Sequence, residues 1–181
     1  PTQRVWYTST ALGLMYLDVK THKTAVFTPF LPFSGKKIAY ITSFLRAKNG
    51  QIWVGHSFEG IKIVDPKTRQ VVGQPLTGSG IAQSKKVIHV HTFYSDTASN
   101  TLWIGTNSGL FSYHKAKNRY TRTAPLPTHS NQIVAISENL FDTKRAVWIL
   151  TEKDVLKIDV TTHQEIMRLP LPPQVIVNQW A

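Results

Sequence analysis

Gln51-Ile52-Trp53-Val54-Gly55-His56-Ser57-Phe58-Glu59-Gly60-Ile61 decides the fold, because it returns as Thr101-Leu102-Trp103-Ile104-Gly105-Thr106-Asn107-Ser108-Gly109-Leu110. Trp6 and Trp148 open weaker copies, so four tryptophans stand 47, 50 and 45 residues apart. A period of about 40–50 residues built from short strands and tight turns is that of β-propeller blades. The expected fold class is therefore all-β: a β-propeller, with about four blade repeats of 45–50 residues here and four antiparallel strands per blade.

Reading outward from Trp53 gives one complete blade. Ile41-Thr42-Ser43-Phe44 reads as an inner strand with apolar residues three apart, and Lys48-Asn49-Gly50 as a hairpin turn in which Asn-Gly accepts positive φ. Gln51 to His56 is the second strand, and Ile61-Lys62-Ile63-Val64 the third. Asp65-Pro66-Lys67-Thr68 is a turn with Asp first and Pro second, and Val71-Val72-Gly73 is a short outer strand. The next repeat keeps this order from Val90 and Phe93, through Trp103, to Arg119-Tyr120-Thr121-Arg122. The last starts at Ile133 and Ile136 and lacks a glycine at the corner after the Trp148 strand, which should give that corner another conformation. The first lacks an inner strand but keeps Trp6 and Gly13-Leu14-Met15-Tyr16-Leu17-Asp18. The expected organisation is a partial blade 1–35, blades 36–78, 79–126 and 127–172, and the start of a further blade at 173–181. Val175-Ile176-Val177 either closes a four-blade ring as a last strand beside the first repeat or belongs to a longer arc.

The repeat cannot bury both faces of one small sheet, so blades must stack. Trp6, Trp53, Trp103 and Trp148 bring the largest apolar area to those contacts, and Gly55, Gly60, Gly105 and Gly109 belong to the same structural pattern. The alternative role, a stacking platform for a sugar or base, is the less common use of a periodic aromatic.

Composition narrows the chemistry. Among 181 residues there is no cysteine, which excludes disulfides, thiolate metal sites and cysteine nucleophiles. No apolar run reaches the roughly 18 residues of a membrane span, and no signal-peptide pattern is present. Starting at Pro1, the sequence reads as a piece of a longer chain. Its net charge of +11 is uneven: Lys/Arg against Asp/Glu number seven to two in residues 1–60, eight to two in 61–120 and six to six in 121–181. A basic surface attracts acidic ligands, although scattered lysines on strand edges also serve to prevent aggregation.

The repeat resembles the two-component regulator propeller repeat, on Ile41, Phe44, Asn49-Gly50, Trp53-Val54-Gly55, Gly60-Ile61 and Asp65, and again on Val90, Phe93, Trp103-Ile104-Gly105-Thr106, Gly109-Leu110 and Tyr113. The similarity is strong in the two central repeats, fair in the first and weak in the last. It implies a periplasmic sensor region of a bacterial inner-membrane signalling protein, built on seven-bladed propellers ahead of a β-sandwich, a transmembrane helix and a histidine kinase or diguanylate cyclase output domain. It implies no catalytic residue in this segment. The implied partners are a small-molecule or oligosaccharide ligand, anionic or uncharged, and adjacent domains of the same chain; a homodimer is left open and nucleic acid is disfavoured.

His89 and His91 alternate in an expected inner strand, with Lys85 and Lys86 just before them. With Arg46 these are the candidate ligand-binding residues. A His-x-His pair needs a third protein ligand to hold zinc, so no metal and no cofactor is expected. Gly105-Thr106-Asn107-Ser108-Gly109 is no nucleophile elbow, and Gly78-Ser79-Gly80 is no P-loop. His22, His56, His114, His129 and His163 are expected in exposed turns or strand ends. A propeller lyase using His89 and His91, resembling the streptogramin lyases, and a basic scaffold for protein or polyanion are the alternative readings.

Overall fold

The computed structural model of the chain describes residues 3–9, 12–27, 41–58, 60–75, 88–117, 119–123, 132–139 and 145–173. The chain divides into two compact units, Pro1–Val87 and Ile88–Ala181. In the first unit, β1 (Arg4–Ser9), β2 (Gly13–Asp18) and β3 (Lys23–Val26) form a three-stranded sheet, while β4 (Ile41–Arg46), β5 (Ile52–His56), β6 (Gly60–Asp65) and β7 (Gln70–Gly73) form a four-stranded one. In the second unit, β8 (Val90–Asp96), β9 (Thr101–Thr106), β10 (Gly109–His114) and β11 (Arg119–Arg122) form one sheet, and β12 (Ile133–Glu138), β13 (Ala146–Thr151), β14 (Asp154–Asp159) and β15 (Glu165–Pro170) the other. All four sheets are antiparallel meanders in chain order, as propeller blades are. The expected blade limits at 35/36, 78/79 and 126/127, and Val175 to Val177, lie outside the described residues.

The inner strands explain the three-residue apolar spacing. Opposite β5, β9 and β13, the register of β4, β8 and β12 slips between Ile41 and Ser43, between Val90 and Thr92, and between Ile133 and Ala135. Each slip is a bulge, with Thr42, His91 or Val134 as the extra residue. A regular strand puts residues two apart on one face; one inserted residue makes that three. Ile41 and Phe44 accordingly pack into one cluster, and Ile133 and Ile136 into another.

Each unit has its own inter-sheet core. In the first, Leu14, Tyr16 and Phe27 meet Ile41, Ile52, Val54 and Val64, with Trp6 packed alongside. In the second, Trp103 and Leu110 meet Ile133, Val147, Ile149, Leu156 and Ile158. Trp103 is fully buried, whereas Trp6 and Trp148 are half-buried. Trp6 has Tyr16 and Phe27 rings at 5.3 and 5.0 Å, and Trp148 donates from Nε1 to Asn139 Oδ1 at 3.2 Å beneath the Lys157 ammonium. At Gly105, a Cβ would stand 2.6 Å from Thr92 Cγ2 and 2.7 Å from Ile133 Cγ2. The missing side chain is what lets the next sheet's inner strand come so close. Leu150 holds the matching place on β13, on the Trp148 face and away from the Val147–Ile149 core.

The corners repeat a second device. Three residues after each tryptophan stand Ser9, His56, Thr106 and Thr151, and each side chain accepts a hydrogen bond from an amide just ahead. Leu12 donates to Ser9 Oγ at 3.3 Å, Phe58 to His56 Nδ1 at 3.0 Å, Ser108 to Thr106 Oγ1 at 3.0 Å and Lys153 to Thr151 Oγ1 at 3.2 Å. The last corner has Asp154 where Gly60 and Gly109 have positive φ, and Asp154 lacks it. It differs in backbone there, yet keeps the bond from its threonine. The outer hairpins use aspartate: Asp18, Asp65 and Asp159 each accept two amides, and His22, Arg69 and His163 follow at positive φ. The Asn49-Gly50 turn has positive φ at Gly50 alone, with Gly50 N donating to Ala47 O at 2.9 Å.

Gly105→Ala is expected to destabilise the chain by about 1–3 kcal/mol through overpacking, and Trp103→Ala by about 3–5 kcal/mol through loss of buried volume. Urea-unfolding midpoints measure both. An unchanged midpoint for Gly105→Ala rules out the close inter-sheet approach.

Candidate functional site

The structure spreads the expected ligand-binding residues over two places. Lys85 and Lys86 lie outside the described residues. His89 precedes β8 rather than standing in it, so the two histidines are not an alternating strand pair; His91 is the bulge residue. His89 is tied by its backbone to Asn107: its N donates to Asn107 Oδ1 at 3.0 Å and its O accepts Asn107 N at 3.1 Å. The bulge then turns His91 so that the rings lie 6.5 Å apart at 44°. Burial, and next the neighbouring His89, hold the His91 pKa below its ordinary 6.5, against an opposite pull from Glu152. Among the described residues no cluster of three histidines or carboxylates forms. What this pair offers is a half-buried imidazole, neutral at pH 7, at the opening end of an inner strand.

Arg46 closes its inner strand instead, so within their own blades Arg46 and the histidines take opposite ends. It borders a cleft of about 430 Å³ between the two sheets of the first unit, a size typical of small-ligand sites (about 300–1,000 Å³). Arg4 and Trp6 of β1 form one wall; Arg46, Asn49 and Gln51 at the β4–β5 turn, and Lys67 at the β6–β7 turn, form the other. The Arg4 guanidinium lies 4.2 Å over the Tyr16 ring. Asn49 and Gln51 are fixed by an Asn49 Nδ2 to Gln51 Oε1 bond of 2.8 Å and by Gln51 N donating to Asn49 Oδ1 at 3.1 Å. Sequence reading gave Trp6 a structural role and did not single out Arg4 or Lys67; β1 lying beside the β4–β5 turn brings Arg4 and Trp6 to Arg46.

Two histidines expected at the surface are structural. His56 is buried, its Nδ1 serving the corner described above. His163 is half-buried, with its ring 4.9 Å from that of Trp103. Burial lowers its pKa below 6.5, opposed by Asp159. His114 is also half-buried, with Nδ1 enclosed; His22 is exposed, and His129 lies outside the described residues. Across the two sheets of the second unit, Arg145 donates to Asp96 at 2.9 Å. Burial pushes the Asp96 carboxyl up, but the Ser99 hydroxyl, the Ser99 and Ala98 amides and Arg145 outweigh it and hold it below 3.8.

No protein-family profile and no curated protein matches the chain. Among solved structures it is similar to the extracellular domain of a protein of B. thetaiotaomicron provisionally assigned as a one-component system, with a TM-score of 0.69 and 21% identity over 90% of this chain and 20% of that one. It is similar, with a TM-score of 0.65 and 23% identity over 92% of this chain and 20% of that one, to the extracellular domain of a hybrid two-component system, also provisionally assigned, from the same organism. A chain of the mitotic checkpoint complex also aligns, at TM-score 0.59 and 10% identity, over 93% of this chain and 45% of that one. The shared property is the fold, and the chain spans about a fifth of the length of the two bacterial proteins.

The histidines give a pH prediction. A pKa lowered by folding means that the unfolded chain binds the proton more readily, so stability is full above 6.5 and falls as pH drops from there toward the folded value. His163→Gln is expected to reduce this slope, with His91 supplying the remainder. Thermal midpoints taken across that window measure it; a slope unchanged from the parent chain removes His163 as a contributor.

Proposed function

We propose that the chain is a segment of a ligand-sensing propeller in the extracytoplasmic part of a membrane-bound bacterial signalling protein, and that the segment is not itself catalytic. The observation that carries this is the likeness, over nine-tenths of the chain, to extracellular domains of bacterial one- and two-component systems. The repeat pattern around Trp53 and Trp103 supports the same reading independently of those structures.

In this reading the blades are a rigid frame, and ligand binding biases how the propeller packs against neighbouring domains. The size of that bias is limited by the difference in ligand affinity between the two arrangements. The location follows the same reading: outside the cytoplasm, in the periplasm of a double-membraned bacterium. The His89–His91 end is a second candidate contact for the ligand, through imidazole rings that can make hydrogen bonds.

The coding sequence on both sides of the segment tests the proposal. Further repeats, a β-sandwich, a membrane-spanning helix and a kinase or cyclase domain are expected. A gene that encodes only this propeller, with no membrane-spanning segment and no output domain, would sink it. For the histidine end, the double variant His89→Ala/His91→Ala is expected to stay folded and to lower the response of the intact protein to its stimulus; an unchanged dose–response removes the pair from the site.

A further inference from the structure

We propose that the cleft between the two sheets of the first unit binds the oxyanion of a small acidic ligand, a carboxylate or sulfate, with Arg4 and Arg46 as its principal counter-charges. This deepens the ligand-sensing reading and rests on it for biological meaning, but the binding itself is a separate property of the cleft.

Charge is the first support. Arg4, Arg46 and Lys67 border the cleft against one carboxylate, Asp65. That carboxylate is committed to its turn, with Oδ1 accepting the Lys67 amide at 2.7 Å and the Thr68 amide at 3.4 Å. Asp18, which faces Arg4 across the β1–β2 ladder and feels its charge, accepts the Lys20 and Thr21 amides, both at 3.1 Å, and makes no ion pair with it. Among the described residues the ion pairs are Arg145 with Asp96 and Arg168 with Asp154 and Glu165, and none engages Arg4, Arg46 or Lys67. Three cations brought to one concave site against one carboxylate raise the local concentration of anions.

The second support is the pose of Arg4. Its guanidinium face rests on Tyr16 and its Nε is enclosed, so the terminal Nη groups are the donors it can offer the cleft. Two such groups side by side can meet two oxygens of a carboxylate or sulfate. Trp6 beside it supplies apolar surface for the body of the ligand, and the pinned Asn49–Gln51 pair limits the motion of the opposite wall. The cleft volume of about 430 Å³ admits a ring-sized molecule rather than a bare ion alone.

The test is a titration of the isotopically labelled 181-residue chain by amide-resolved NMR. The probes are sodium sulfate, sodium galacturonate and uncharged galactose, with ionic strength held constant by sodium chloride. Saturable shifts at the Gly50 and Gln51 amides and the Trp6 indole N–H are expected with sulfate, galacturonate or both, and none with galactose. Saturation by only one of the two acids identifies whether a sulfate or a carboxylate is the group recognised. Arg46 is exposed, so Arg46→Gln should leave the spectrum of the second unit unchanged while weakening binding by about tenfold, the loss of one charge-assisted contact. Three results overturn the proposal: no saturable shift with either acid, equal shifts with galactose, or parent-like affinity in Arg46→Gln. None of these would alter the neighbouring coding sequence, so failure of the cleft and failure of the sensor reading are separable.

Discussion

The packing of one sheet against the next is the contact on which everything else in this chain depends. A meander of four short strands has two apolar faces and cannot cover either by itself. In the second unit the cover is made by Trp103 and Leu110 on one side and Ile133, Val147, Ile149, Leu156 and Ile158 on the other. Approach that close needs a strand with no side chain at Gly105 and a partner strand whose bulge at Val134 keeps Ile133 and Ile136 on the same face. The first unit solves the same problem with Leu14, Tyr16 and Phe27 against Ile41, Ile52 and Val54. The rims of the sheets, where polar chemistry collects, are placed by these contacts.

The fold was legible because its signals are local and repeated. Trp53 and Trp103 fix the period, and Asp65 and Asn49-Gly50 mark turns within a few residues of the strands they join. Even the bulges leave a trace in the sequence, an apolar spacing of three that a regular strand does not give. The histidines were misread because exposure was inferred from position in a turn. A turn residue that caps its own corner, as His56 does, or that leans on a neighbouring blade, as His163 does on Trp103, is covered by partners remote in sequence.

The candidate site was legible only in fragments for the same reason. Arg46 was among the candidates, but Arg4 lies 42 residues before it and belongs to another sheet. Charge counting placed a basic excess in residues 1–120, and three of its cations, Arg4, Arg46 and Lys67, border the cleft with Asp65. The His89–His91 spacing suggested a shared face; the bulge at His91 breaks the alternation on which that inference depended. Binding residues on a propeller are set by the juxtaposition of rims, which carries no periodic trace.

Ser9, His56, Thr106 and Thr151 show what the repeat demands at its first corner: a lone pair at a fixed place, from whichever side chain can supply it. A serine or threonine hydroxyl or an imidazole nitrogen serves, because the acceptor is chosen by backbone geometry and not by chemical type. Asp154 in the place of Gly109 shows similar latitude in the turn that follows. Such a blade can exchange its letters while its shape stays fixed. Two such blades can share a shape while little is left in common letter by letter.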